Sequence, residues 1–259
     1  MIAGTDFFFK DGDHPFLTIF PDLESLPLLK PKHSFPIQQL MKLQLRRAFS
    51  KSLPFLLIYW ICSVGVSANV NQPNIVIIFT DDMGYGDIGP FGSDRPTPHL
   101  NRMAEEGMKL TDFYVSSTAC TPSRSALLTG CYADRIEMGR SVVFPADERG
   151  LNPKEITIAE ILKEGGYKTG CFGKWHLGDN YPMRAIDQGF DEALIHKGGG
   201  LAQPSEPREN ARRYTDAILV SNGKQVQTKG YCTDVYFDAA IDFVKTTTAN
   251  DDNFFVYIP

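Results

Sequence analysis

Residues 74–87 read NIVIIFTDDMGYGD. An unbroken apolar run from Ile75 to Phe79, mostly β-branched, meets two aspartates and then a glycine-punctuated turn. Without polar alternation, such a run is the pattern of a strand buried on both faces, as in a parallel sheet covered by helices. The same pattern recurs at Phe254-Phe-Val-Tyr-Ile258, and Tyr167 to Phe172 reads as a further short strand.

Helix signals alternate with these strands. Thr97 is placed as an N-cap, Pro98 at the first helical position and Gly107 as the stop, with Leu100, Met103 and Ala104 on the apolar face. Thr157-Ile-Ala-Glu160 is a capping box and predicts a helix that Gly165 closes. From Thr233, the residues Val235, Phe237, Ala240, Ile241 and Val244 recur at helical spacing. The alternation predicts an α/β fold with a mainly parallel central sheet flanked by helices. Residues 198–229 are polar and Pro/Gly-punctuated and read as an excursion from that core. The strand at Phe254 has nothing after it to cover it, so the sheet is expected to be incomplete at the C-terminus.

The 259 residues carry 42% hydrophobic and 22% charged residues, ordinary for a folded protein, and a net charge of −5. That balance, with no basic stripe in the body of the chain, excludes a nucleic-acid partner. From Met41 the sequence reads as a secretory signal peptide over residues 41–68. Lys42, Arg46, Arg47 and Lys51 form its positive part, Leu53 to Val66 its apolar part, and Val66-Ser67-Ala68 its cleavage site. The apolar part is short against the roughly 20 residues of a membrane span, so no stable span is expected after cleavage. Residues 1–40 show no sustained period and read as a spurious or disordered extension, with 73–259 as the folded portion.

Three segments carry chemistry. Asp81-Asp82 ends a strand, where ligands of α/β sheets gather. Two adjacent carboxylates repel unless a cation offsets them, and hard oxygens suit Ca²⁺ or Mg²⁺. Gly84 and Gly86 would allow the tight backbone of such a loop. Cys120-Thr-Pro-Ser-Arg124 leads into Ser-Ala-Leu-Leu-Thr-Gly130, which puts Cys120 at a helix N-terminus, a setting that favours anions, with Arg124 one turn on. Lys174-Trp-His176 follows a strand, and period-two alternation would point Lys174 and His176 the same way. A fixed positive charge beside a titratable imidazole suits an oxyanion that is bound and released.

CTPSRSALLTG at 120–130 and GYKTGCFGKWHLG at 166–178 resemble the signature motifs of the type I sulfatases, in the alkaline-phosphatase-like superfamily and closest to the arylsulfatase A type. DDMGYGD resembles that family's first metal-binding segment. The resemblance covers residues 73–259 and implies the N-terminal part of a sulfuric-ester hydrolase. It implies that a formylglycine-generating or sulfatase-maturing enzyme oxidises Cys120 to formylglycine. It further implies that Asp81, Asp82 and residue 120 bind one divalent cation, Ca²⁺ or else Mg²⁺. Arg124 would support the hydrated aldehyde, while Lys174 and His176 would contact the sulfate and the reacting oxygens, with a protonated histidine as general acid. His196, beside the Lys197-Gly-Gly-Gly200 loop, is a further candidate substrate contact. The family pattern places another His, an Asp-Asn pair and a Lys beyond Pro259. The expected substrate is a sulfated small molecule or glycan, and the expected location secreted or periplasmic, or lysosomal in a eukaryote. The rival readings are a phosphonate or phosphate-ester hydrolase on the same scaffold, or an inactive truncated relative.

Overall fold

Six strands build one sheet: β1 (Ile75–Ile78), β2 (Lys168–Lys174), β3 (Glu192–His196), β4 (Ile218–Ser221), β5 (Lys224–Gln227) and β6 (Phe254–Ile258). The computed structural model describes residues 72–201, 207–211 and 213–259, so the extension expected at 1–40 and the signal peptide expected at 41–68 lie outside the described residues. In space the order is β1-β6-β2-β3-β4-β5. The first four are parallel neighbours, and β4 and β5 add antiparallel. The α/β class with a mainly parallel sheet is therefore as expected.

Alternation along β6 organises the interior. Phe255 and Tyr257 enter one apolar cluster with Ile77, Leu128, Ala159, Trp175 and Phe190. Phe254 and Val256 enter the other, with Phe172, Leu219, Tyr236 and Phe243. A strand whose side chains alternate between two buried faces must be apolar throughout, which is why FFVYI lacks polar alternation. Each large apolar side chain so buried contributes about 1.5–3 kcal/mol. β6 sits between β1 and β2 rather than at an edge, so both of its backbone sides are paired.

Helices cover both faces. α1 (Pro98–Glu106), α2 (Cys120–Thr129), α3 (Ile158–Glu164) and α4 (Cys232–Ala249) follow the chain in that order. The capping box of α3 forms as expected: Thr157 Oγ1 accepts from Glu160 N at 3.2 Å, and Glu160 Oε2 accepts from Thr157 N at 2.8 Å. No helix among the described residues is long and apolar enough to cross a membrane.

Four expectations need correction. β1 is not buried on both faces; among the described residues it pairs only with β6, and Val76 and Ile78 remain 50% and 41% exposed. A run of β-branched residues reports strand propensity, not which neighbours arrive. The stripe of α4 that is buried consists of Cys232, Tyr236, Ala240, Phe243 and Thr247, while Phe237 and Ile241 face outward. Thr97 occupies the N-cap position of α1 without capping it; its hydroxyl instead accepts from Gly89 N at 2.8 Å. The stretch 198–229 is not wholly an excursion, because it contains the β4–β5 hairpin that widens the sheet beyond β3.

Candidate active site

The carboxyl ends of β1, β2 and β3 lie at one end of the sheet and deliver Asp81, Lys174 and His196 there. The Lys174–His196 proximity is a matter of register, since they are direct partners across the β2–β3 ladder. α2 brings Cys120 to the same place as its first residue, with Ala119 as N-cap. Thr121 fixes that approach: its hydroxyl donates to the His176 carbonyl at 2.8 Å and accepts from Val143 N at 3.1 Å. Thr121 is fully buried and its role has no sequence signal beyond its place in the CTPSR segment.

Lys174 is the hub. Its ammonium donates to Asp81 Oδ2 at 2.5 Å and to the Cys120 sulfur at 3.1 Å. Arg124 lies beneath, 1% exposed, donating through Nη2 to Asp81 Oδ2 at 3.1 Å and through Nη1 to the Lys174 carbonyl at 2.8 Å. The guanidinium also stands over the Phe79 ring at 5.4 Å and reaches the Tyr257 hydroxyl at 3.5 Å. Burial acts to raise the Asp81 pKa, but the Lys174 hydrogen bond and the two positive charges outweigh it and hold the carboxyl below its usual range. Burial raises the Tyr257 phenol above its usual value, so it stays neutral.

The two histidines are buried beside this cluster. Burial first, and then the Lys174 charge, lowers His176 to about 4. Among the described residues neither of its ring nitrogens meets a hydrogen-bond partner; a weak interaction with the Val143 backbone offsets the drop only in part. Burial likewise lowers His196 to about 4. His196 Nδ1 donates to the Lys197 carbonyl at 3.0 Å, which leaves Nε2 as the acceptor of the neutral ring. At neutral pH both imidazoles are therefore uncharged, and neither is a standing protonated acid.

Two local expectations change. Strand alternation does not align Lys174 with His176, because β2 ends at Lys174 and His176 takes a left-handed backbone, φ 55°. The loop after β1 turns at Asp82, φ 57°, whereas Gly84 is extended. Asp82 is exposed, as is Asp81, but Asp81 is the one that meets Arg124 and Lys174. Among the described residues no group of three or more His, Cys, Asp or Glu side chains could hold a metal. Asp81, Asp82 and Cys120 do not close a shell for Ca²⁺, which takes about 6–8 oxygens. The positive charge that offsets Asp81 here comes from Lys174 and Arg124.

The sulfatase family profile matches residues 73–259, the whole of this sheet and its helices. The chain belongs to the sulfatase family. Human arylsulfatase A is 51% identical over 112 residues, covering 43% of this chain and 22% of that protein. N-acetylgalactosamine-6-sulfatase of Canis lupus familiaris is 35% identical over 220 residues, covering 78% of this chain and 42% of that one. Among solved structures, Ps i-CgsB superposes with a TM-score of 0.65 at 33% identity, over 73% of this chain and 45% of the other. This sulfatase chain thus spans less than half the length of each of these relatives.

Proposed function

We propose that the chain carries the nucleophile-bearing part of a sulfuric-ester hydrolase site. The single observation that carries the proposal is the Lys174 ammonium held between the Cys120 sulfur and Asp81 at 3.1 and 2.5 Å. Were residue 120 oxidised to formylglycine by a maturing enzyme, its hydrate would supply one hydroxyl as the nucleophile for sulfur and a second whose deprotonation would let sulfate leave. Lys174 binds a sulfuryl oxygen and offsets the charge that grows on it, an interaction that strengthens toward the transition state. Arg124 keeps Asp81 ionised and fixes the Lys174 main chain, so the ammonium is aimed before substrate arrives. His176 binds the ester neutral. An anionic sulfate opposes the field of Lys174 and raises this histidine's affinity for a proton, which suits it to pass one to the leaving alcohol. His196 flanks the same end of the sheet as a substrate contact.

A Ca²⁺ or Mg²⁺ bound through Asp81 and Asp82 belongs to this reading as a further charge on the sulfuryl oxygens. These two carboxylates are part of an oxygen shell, so the steps above run through the protein's own groups. The names of the relatives support aryl sulfates and sulfated amino sugars as the substrate class. The segment at 41–68 supports export from the cytoplasm.

The test is sulfate release from 4-nitrophenyl sulfate beside phosphate release from 4-nitrophenyl phosphate, with mass spectrometry of the peptide holding residue 120. Sulfate release that tracks the aldehyde and vanishes in Cys120→Ala is expected. Preference for the phosphate ester would favour the rival hydrolase, and an intact thiol with no hydrolysis of either ester would overturn both.

A further inference from the structure

His176 carries a left-handed backbone, φ 55°, just past the end of β2. Its side chain is buried, yet among the described residues neither ring nitrogen meets a hydrogen-bond partner. An imidazole that works on a substrate is commonly oriented by a hydrogen bond to its second nitrogen. Without one, the ring goes where the main chain sends it. A non-glycine residue stays left-handed only where its surroundings hold it there.

Two carbonyls frame that turn, and residues from elsewhere in the chain hold both. The His176 carbonyl accepts from Thr121 Oγ1 at 2.8 Å. The same hydroxyl accepts from Val143 N at 3.1 Å, and the Val143 backbone interacts weakly with the His176 ring. Thr121 therefore fixes the histidine both through its peptide and from beside its ring. The Leu177 carbonyl accepts from Leu151 N at 2.7 Å. Gly150 lets these segments close up, since a Cβ there would stand 2.6 Å from the Leu177 oxygen. Leu151 is held in turn, because its carbonyl accepts from Gln188 Nε2 at 3.0 Å. The Gln188 carbonyl accepts from the Thr157 hydroxyl at 2.9 Å, at the start of α3. Thr121, Leu151 and Gln188 are all fully buried, where an unpaired donor or acceptor is costly.

We propose that Thr121 and Gln188 are positioning residues for His176. Thr121 acts on the His176 carbonyl, and Gln188 acts through Leu151 on the next one. The proposal rests on the sulfate-ester reading above, in which His176 passes a proton to the leaving alcohol. It is tested on the full chain with three variants. Thr121→Val keeps the shape and removes the hydroxyl, Thr121→Ser keeps the hydroxyl, and Gln188→Met keeps the length and removes the amide. Rates on 4-nitrophenyl sulfate are taken per chain carrying the aldehyde at residue 120, counted by mass spectrometry, because Thr121 adjoins that residue. Thr121→Val and Gln188→Met are each expected to lower kcat about 10²-fold, the scale of a misplaced reacting group, with KM little changed. Thr121→Ser should restore most of kcat. The ¹⁵N resonances of the His176 ring should move in Thr121→Val and Gln188→Met and return in Thr121→Ser. Thermal melting confirms folding, and Gln188→Met reads the same ring from the other side should Thr121→Val not fold. Unaltered kcat in Thr121→Val, or Thr121→Ser as slow as Thr121→Val, would overturn the role of Thr121. Unaltered kcat in Gln188→Met would overturn that of Gln188. If the unaltered protein releases no sulfate, the sulfate-ester reading falls instead and the ring resonances decide. A ring that moves in both variants and returns with serine supports the positioning, and a ring that stays put in both removes it.

Discussion

Arg124 and Asp81 form an ion pair at 3.1 Å whose guanidinium side chain is buried while its carboxylate is partly open to solvent. The pair joins the middle of α2 to the end of β1, and with the Lys174 carbonyl it joins both to β2. A cation in that position is held by its partners and by the Phe79 ring.

Removing one partner of this half-buried pair weakens the hold on the other. Asp81→Asn keeps a carbonyl oxygen able to accept from Arg124 and Lys174, so it is expected to lower stability less than Arg124→Ala, which deletes the hydrogen bond to the Lys174 carbonyl and leaves a cavity. Arg124→Ala should cost about 2–5 kcal/mol, mostly from the emptied space of a large buried side chain. Urea unfolding of the two variants checks the order; equal losses would show that the guanidinium is not the anchor of the site.

Lys174 makes contacts that a different cation cannot copy. Its single ammonium spans Asp81 and Cys120, and a planar guanidinium has another reach and another fork. Lys174→Ala is expected to lower kcat for sulfate release about 10²–10³-fold, the scale of losing one preorganised charge contact. Lys174→Arg should recover only part of that. Steady-state kinetics on 4-nitrophenyl sulfate, with thermal melting to confirm that both variants fold, reads the effect.

Both histidines have folded-state values near 4 against an ordinary 6.5. In the window between those values the unfolded chain binds the protons and the folded chain does not, so stability falls as pH drops from 6.5 toward 4 and levels off below. At full effect each histidine contributes about 3 kcal/mol. Urea midpoints measured from pH 7 to pH 4 should fall through that window. In His196→Gln the fall should be shallower, since a titrating group is gone. A midpoint constant across the window would refute the low values.

Gly173 stands at φ 139°, and a Cβ there would run into the Pro259 carbonyl, the group that accepts from Lys174 N at 3.1 Å. Gly173→Ala therefore strains the backbone one residue before Lys174, by about 1–3 kcal/mol. The expected result is a lower melting temperature together with a loss of sulfate-ester turnover, because the ammonium is displaced from Cys120. Unchanged melting and turnover would show that the β2 end can yield at no cost.

The comparison of sequence with structure turns on single residues. Capping at Thr157 and Glu160, the terminal Gly130 of α2 and the strand at Phe254 were all legible, because each depends on contacts within one turn or on a two-residue period. The proximity of Cys120, Lys174 and Asp81 was legible only as a resemblance between motifs. His176 shows the limit well: its residue type was visible, but its left-handed backbone and its uncharged state depend on burial by segments far away in the chain.

Sequence alone determined the α/β class, the capped helices, the membership of Cys120 in a helix N-terminus and the run of residues that marks the sulfatase family. The first three follow from short-range spacing, and the last from a resemblance between motifs. Tertiary structure decided that β6 lies between β1 and β2, that one face of β1 stays open, and that residues 218–227 widen the sheet. It also decided that Asp81 is neutralised by Lys174 and Arg124. Those outcomes depend on which distant strands pair and which charges are buried together, and local propensity and period carry no information on either.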